Sequence, residues 1–76
     1  MTGFERFRRK NLLTQTELAE LVGLSVQAVC RWEKGDSTPT VQTLQQLAKI
    51  YGVQMEDLLR KDYPDSGLEE LRAKGA

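Results

Sequence analysis

TQTELAELVGLSVQAVCRWEKG, Thr14 to Gly35, reads as two short helices joined by a tight turn at Gly23–Leu24 and stopped again at Gly35. Thr14 is placed to cap the first of them, and Glu17 three residues on can close a capping box. Leu18, Ala19, Leu21 and Val22 then share one helical face, the face expected to be buried. Gly23 suits a chain that leaves a helix with positive φ, and Ser25 is a good cap for the helix that follows. A helix, a short glycine-bearing turn and a second capped helix is the arrangement that places a recognition helix in a DNA major groove.

The second helix divides by angle. At about 100° per residue, Val29, Trp32 and Glu33 fall on one side and Gln27, Cys30, Arg31 and Lys34 on the other. The outer side carries an amide, a guanidinium and an ammonium, groups that hydrogen-bond base edges and neutralise phosphates. Val26, just inside the cap, can touch a thymine methyl. Any exposed helix face carries polar residues, so the face alone does not identify DNA. The preceding helix and the glycine positions give it that meaning.

The longer run LTQTELAELVGLSVQAVCRWEKGDSTPTVQTLQQLAKIYGVQMEDLL closely resembles the Cro and phage-repressor-like (Xre-type) helix-turn-helix family, over roughly Phe4 to Leu59. Its most specific parts are TQxELA at Thr14–Ala19, the Gly-Leu-Ser turn, RWEKG at Arg31–Gly35, the Pro39 loop and LAKIYGV at Leu47–Val53. The resemblance implies an all-α, compact five-helix lambda-repressor-like domain, with the helix-turn-helix at helices 2 and 3. It also implies operator binding, usually as a dimer. Residues 1–60 are then the DNA-binding domain and 61–76 a C-terminal extension.

Phe4, Phe7, Arg8 and Asn11 keep helical spacing, so a first helix is expected over about Gly3–Lys10 with both phenylalanines in the core. Arg8 shares their side. A half-buried guanidinium needs a partner, and Glu33 is the one acid facing inward from the recognition helix. An Arg8–Glu33 ion pair is therefore expected, as the resemblance also implies, with orientation as its role. Asn11 and Leu12 link the first two helices where the family often has glycine, which leaves Leu12 partly exposed or unusually packed. Gln15 opens the second helix, whose unpaired amides attract anions. It is expected to contact phosphate, and its side chain can also brace Gln27.

Asp36–Thr40 is a loop of turn-forming residues. Ser37, Thr38 and Thr40 are candidate phosphate donors, and Thr40 is also placed to cap the next helix. Val41, Leu44, Leu47, Ala48 and Tyr51 then form a stripe expected to be buried, closed by Gly52. Met55, Leu58 and Leu59 fit a short fifth helix that starts, frayed, at Gln54. Beyond Lys61, Ser66 with Glu69 can cap a short sixth helix; a disordered acidic tail is the equal alternative.

Composition bounds the function. Eleven basic side chains balance eleven acidic ones, whereas DNA binders usually carry a basic surplus. Up to Lys34, however, six basic residues face four acidic ones, which favours one basic face. One cysteine excludes an internal disulfide and fits a reducing cytoplasm, the expected location. No apolar run approaches the roughly 20 residues of a membrane span, so no membrane partner is expected. With no histidine, no phosphate-binding glycine loop and no nucleophile paired with a base, the sequence supports no enzyme, metal site or cofactor.

Gln27 and Arg31 are accordingly expected to read bases, adenine suiting the amide and guanine the guanidinium. Gln15, Ser25, Lys34, Thr38 and Asn11 are expected to hold phosphates. A monomer offers too small a contact for specificity, so a homodimer on a near-palindromic operator is expected, joined around Met55–Leu59. The alternative is a protein-interaction module of the same fold, an antitoxin or adaptor, which zero net charge permits. Cys30, beside Arg31, is expected to be an ordinary small neutral side chain; a redox switch is the less favoured reading.

Overall fold

The computed structural model describes residues 1–65, and five helices follow one another without a strand among them: α1 (Gly3–Lys10), α2 (Gln15–Val22), α3 (Val26–Lys34), α4 (Val41–Tyr51) and α5 (Met55–Leu59). Each begins as its sequence dictates. Thr14 Oγ1 accepts from the Glu17 N–H at 3.0 Å, and the Glu17 carboxylate accepts from the Thr14 N–H at 2.9 Å, closing the capping box. Those bonds hold the Glu17 carboxyl below its ordinary pKa. Thr2, Ser25 and Thr40 cap α1, α3 and α4 in the same manner. At α5 the Gln54 side chain does not act as a cap. The Asp57 carboxylate instead takes the Gln54 N–H at 3.0 Å, which fastens the turn expected to fray.

The α2–α3 turn depends on Gly23, whose φ of +69° lets the Leu24 N–H reach back to the Ala19 carbonyl at 3.0 Å. Leu12 holds a similar conformation, φ +58°, with a side chain attached. It is 54% exposed, the first of the two outcomes expected for this position.

Phe4, Phe7, Leu18, Ala19, Val29, Trp32, Leu44, Leu47 and Leu58 form the core. The Trp32 ring lies 6.2 Å from Phe4, so α1 and α3 pack through two aromatics. α1 also approaches α5 closely. A Cβ on Gly3 would fall 2.2 Å from the Asp57 carbonyl oxygen, and the Gly3 N–H donates to the Arg60 carbonyl at 2.8 Å.

Two expected core stripes are narrower than the periodicity suggested. Leu21 is 53% exposed and Val41 63%. Leu18 and Ala19 in α2 and Leu44 and Leu47 in α4 are buried, and Val22, Ala48 and Tyr51 pack partly buried against the core. Leu21 and Val41 alone of these positions fall beyond the covered arc.

The segment after α5 adds to the core. Tyr63 stacks edge-on against Phe7 at 5.8 Å, its hydroxyl donates to the Asp57 carbonyl, and the guanidinium groups of Arg6 and Arg60 lie over its ring. Its N–H donates to the Met1 carbonyl at 3.1 Å, so residues 60–63 run alongside the first three. The capping box expected at Ser66 and Glu69 lies outside the described residues.

Candidate nucleic-acid interface

α3 is locked on one flank and open on the other. Val29 is fully buried, Trp32 is 4% exposed and Glu33 8%, whereas Gln27, Arg31 and Lys34 are all exposed. Spacings of four and then three residues put those three in one stripe along the helix. The angular division expected of this helix is the one observed. Val26 is only half-buried and packs against the core, so part of its side chain remains at the surface.

The lock is the Arg8–Glu33 pair. Arg8 Nε and Nη2 donate to the two Glu33 oxygens at 2.5 and 2.9 Å, a bidentate contact between side chains only 11% and 5% exposed. The bond to Glu33 raises the Arg8 pKa further above its ordinary value, against the opposing effect of burial. Arg8 Nη1 donates to the Leu13 carbonyl at 2.8 Å, and Thr2 Oγ1 donates to the Glu33 carbonyl at 3.0 Å. Arg8 and Glu33 together thus join α1, the α1–α2 loop and α3. The ion pair expected from the sequence is present.

An open cleft of about 710 Å³ lies between α1, the start of α2 and the end of α3. Arg9, Thr14, Gln15, Cys30 and Lys34 contribute to its walls. Arg8, Arg9 and Lys34 outnumber Glu5 and Glu33 in its lining, so a net positive charge lies beside the start of α2, whose first amides lack intrahelical partners. In the sequence Arg9 stands out only as one of the basic charges. Its place as the neighbour of Arg8 in the last turn of α1 was the signal that could have put it here. Its charge is partly answered by Glu5, 2.7 Å away.

Several expected contacts are arranged differently. Gln15 Nε2 donates to Glu33 Oε1 at 3.1 Å, whereas it was expected to brace Gln27. Glu33 still has lone pairs to offer after binding Arg8, and an anionic acceptor outcompetes a neutral amide. The Asn11 amide turns back onto the Phe7 carbonyl at 2.7 Å, capping α1. Thr40 Oγ1 accepts from the Thr43 N–H at 3.3 Å and donates to the Thr43 hydroxyl at 3.2 Å, so it is engaged within its own cap. The Ser25 oxygen accepts from the Ala28 N–H, which leaves its hydroxyl proton to donate. Ser37 and Thr38 are exposed, and Cys30 is half-buried at the cleft wall.

An end-capped helix, a left-handed glycine turn and a second helix with one polar face free define a helix-turn-helix protein. The helix-turn-helix family model matches residues 4–58, and the chain belongs to that family, in its Cro and phage-repressor type. It is 48% identical over 46 residues to the HTH-type transcriptional regulator DicA of Escherichia coli K12, a match that covers 59% of this chain and 34% of DicA. The uncharacterized HTH-type transcriptional regulator MJ0272 of Methanocaldococcus jannaschii is 36% identical over 52 residues, 68% of this chain and 79% of that protein. The transcriptional repressor RstR of the Vibrio cholerae cryptic phage CTXphi is 34% identical over 62 residues, 82% of this chain and 55% of RstR. The matched region thus spans only about a third of DicA and about half of RstR. No solved structure matches the chain.

Proposed function

We propose that this chain is a sequence-specific DNA-binding transcriptional regulator that lays α3 in the major groove. The exposed stripe of Gln27, Arg31 and Lys34, opposite a flank fixed through Val29, Trp32 and Glu33, carries the reading. Gln27 and Arg31 read base edges, and the exposed part of Val26 meets a thymine methyl. Lys34, Arg9, the Ser25 and Thr38 hydroxyls and the first amides of α2, beside Gln15, hold phosphates and so set the register. The names of DicA and RstR as regulators support the assignment.

The fold measures 30 × 23 × 22 Å, shorter in every direction than the roughly 34 Å between half-sites one duplex turn apart. One copy therefore covers one half-site, and we propose a two-fold dimer on a near-palindromic operator. The surface expected around Met55–Leu59 is smaller than the sequence implied, because Leu58 is fully buried and Met55 packs on the core. Leu59, with Val41 and Ile50 on α4, supplies the exposed aliphatic groups for that contact.

Selection from a random duplex library at two salt concentrations tests the proposal. One enriched motif with two-fold symmetry is expected, at both salts and with weaker binding at the higher. No enrichment, together with self-association or protein binding that survives high salt, would replace it with the interaction-module reading.

A further inference from the structure

We propose that Lys61, from the segment that follows α5, is a phosphate-binding residue presented at the end of the recognition helix. The inference rests on the DNA-binding reading above and adds a contact from outside residues 4–58, the stretch that the family model matches. Lys61 comes after α5 in the chain, yet its Nζ lies 3.9 Å from the point that a Cβ on Gly35 would occupy. Gly35 is the residue at which α3 stops, directly after Lys34 and just ahead of the exposed Ser37 and Thr38. Lys34 and Thr38, on either side of it, are both assigned to phosphates in the reading above. The ammonium of Lys61 therefore joins a line of groups already directed at the duplex backbone.

Backbone pairing puts it there. The Gly3 N–H donates to the Arg60 carbonyl at 2.8 Å and the Tyr63 N–H to the Met1 carbonyl at 3.1 Å, so Lys61 is held between two bonds to the first residues. Thr2, among those residues, donates its hydroxyl to the Glu33 carbonyl at 3.0 Å, which ties them to the last turn of α3. Tyr63, edge-on to Phe7 and bonded to the Asp57 carbonyl, anchors the far end of the segment. The neighbouring cations are engaged: Arg60 binds Asp62, and Arg60 and Arg6 both lie over the Tyr63 ring. Lys61 is exposed, and among the described residues it has no carboxylate within ion-pair distance, Asp36 beside Gly35 included. A lysine so placed is a point charge on a flexible stem, suited to meeting a phosphate. The same charge could instead face the last carbonyls of α3 or screen Asp36, and the experiment separates these roles.

The test follows binding of the full chain to the selected operator and to a scrambled duplex of equal length, by fluorescence anisotropy across a salt series. Lys61→Gln should weaken both duplexes alike, by about fivefold to tenfold per bound copy at about 0.1 M salt, and lower the salt slope by about one per copy. Lys61→Arg, which keeps the charge, should retain the wild-type slope. The loss caused by Lys61→Gln should be of the same size in an Asp36→Asn background. Melting curves confirm that each variant is folded at the assay temperature. An unchanged slope for Lys61→Gln would overturn the proposal; a melting temperature that falls with it would assign the ammonium to the α3 carbonyls. A loss that vanishes in the Asp36→Asn background would overturn it too, leaving Lys61 as a screen for that carboxylate. A wild-type chain that binds neither duplex would instead refute the DNA reading, and this inference with it.

Discussion

Leu12 is the residue at which local geometry and side chain disagree. A φ of +58° on a residue with a branched side chain costs about 1–2 kcal/mol, and 54% exposure leaves little packing to offset it. Leu12→Gly removes the strain but loosens the unfolded chain by roughly 0.4–1 kcal/mol. A net gain of about 0.5–1 kcal/mol is expected, measurable as a higher urea midpoint at unchanged slope. Tyr51 offers a second test. Its buried hydroxyl has no hydrogen-bond partner, and burial, aided by the nearby Glu33 charge, raises its pKa above the ordinary 10.0. The folded state therefore keeps a proton that the unfolded state releases, so stability is intact below pH 10 and falls as pH rises past it. Tyr51→Phe should flatten that alkaline loss when urea midpoints at pH 9 and 11 are compared.

At the scale of the element, α3 is held by what its inner flank meets. Trp32, against Phe4, is the largest side chain that α3 contributes to the core. Trp32→Ala should cost about 3–5 kcal/mol, a large part of the roughly 5–15 kcal/mol that stabilises a small domain. Circular dichroism should show a large drop in melting temperature or an unfolded chain. This level was also the most legible in the sequence. Thr14, Ser25 and Thr40, with Gly23, Gly35 and Gly52, mark caps and stops whose chemistry is local, and the helix ends follow them. Arg8 and Glu33 could be paired because each had to be buried and neither could be buried alone. Less legible was whatever depends on how much of a helix its neighbours cover. Leu21 and Val41 keep helical periodicity yet remain exposed. The inward turn of Gln15 and the docking of Tyr63 are set by partners 18 and 56 residues away in the chain, which no local pattern announces.

For the whole molecule, a neutral chain is no obstacle to DNA binding if its charges are separated. Arg8, Arg9 and Lys34 outnumber Glu5 and Glu33 in the cleft beside the start of α2, and Arg31 is exposed on the same helix as Lys34. Phosphate attraction supplies affinity for any duplex, and base contacts supply the preference, so the two should separate by mutation. Binding of wild-type, Arg31→Ala and Lys34→Ala chains to the selected operator and its single-base-pair variants is the most direct measurement. Arg31→Ala should abolish discrimination at one base pair in each half-site, by about 1–3 kcal/mol, while Lys34→Ala weakens every duplex alike and lowers the salt slope by about one. Losses spread evenly over all base pairs for both variants would contradict a recognition helix that reads sequence through this face.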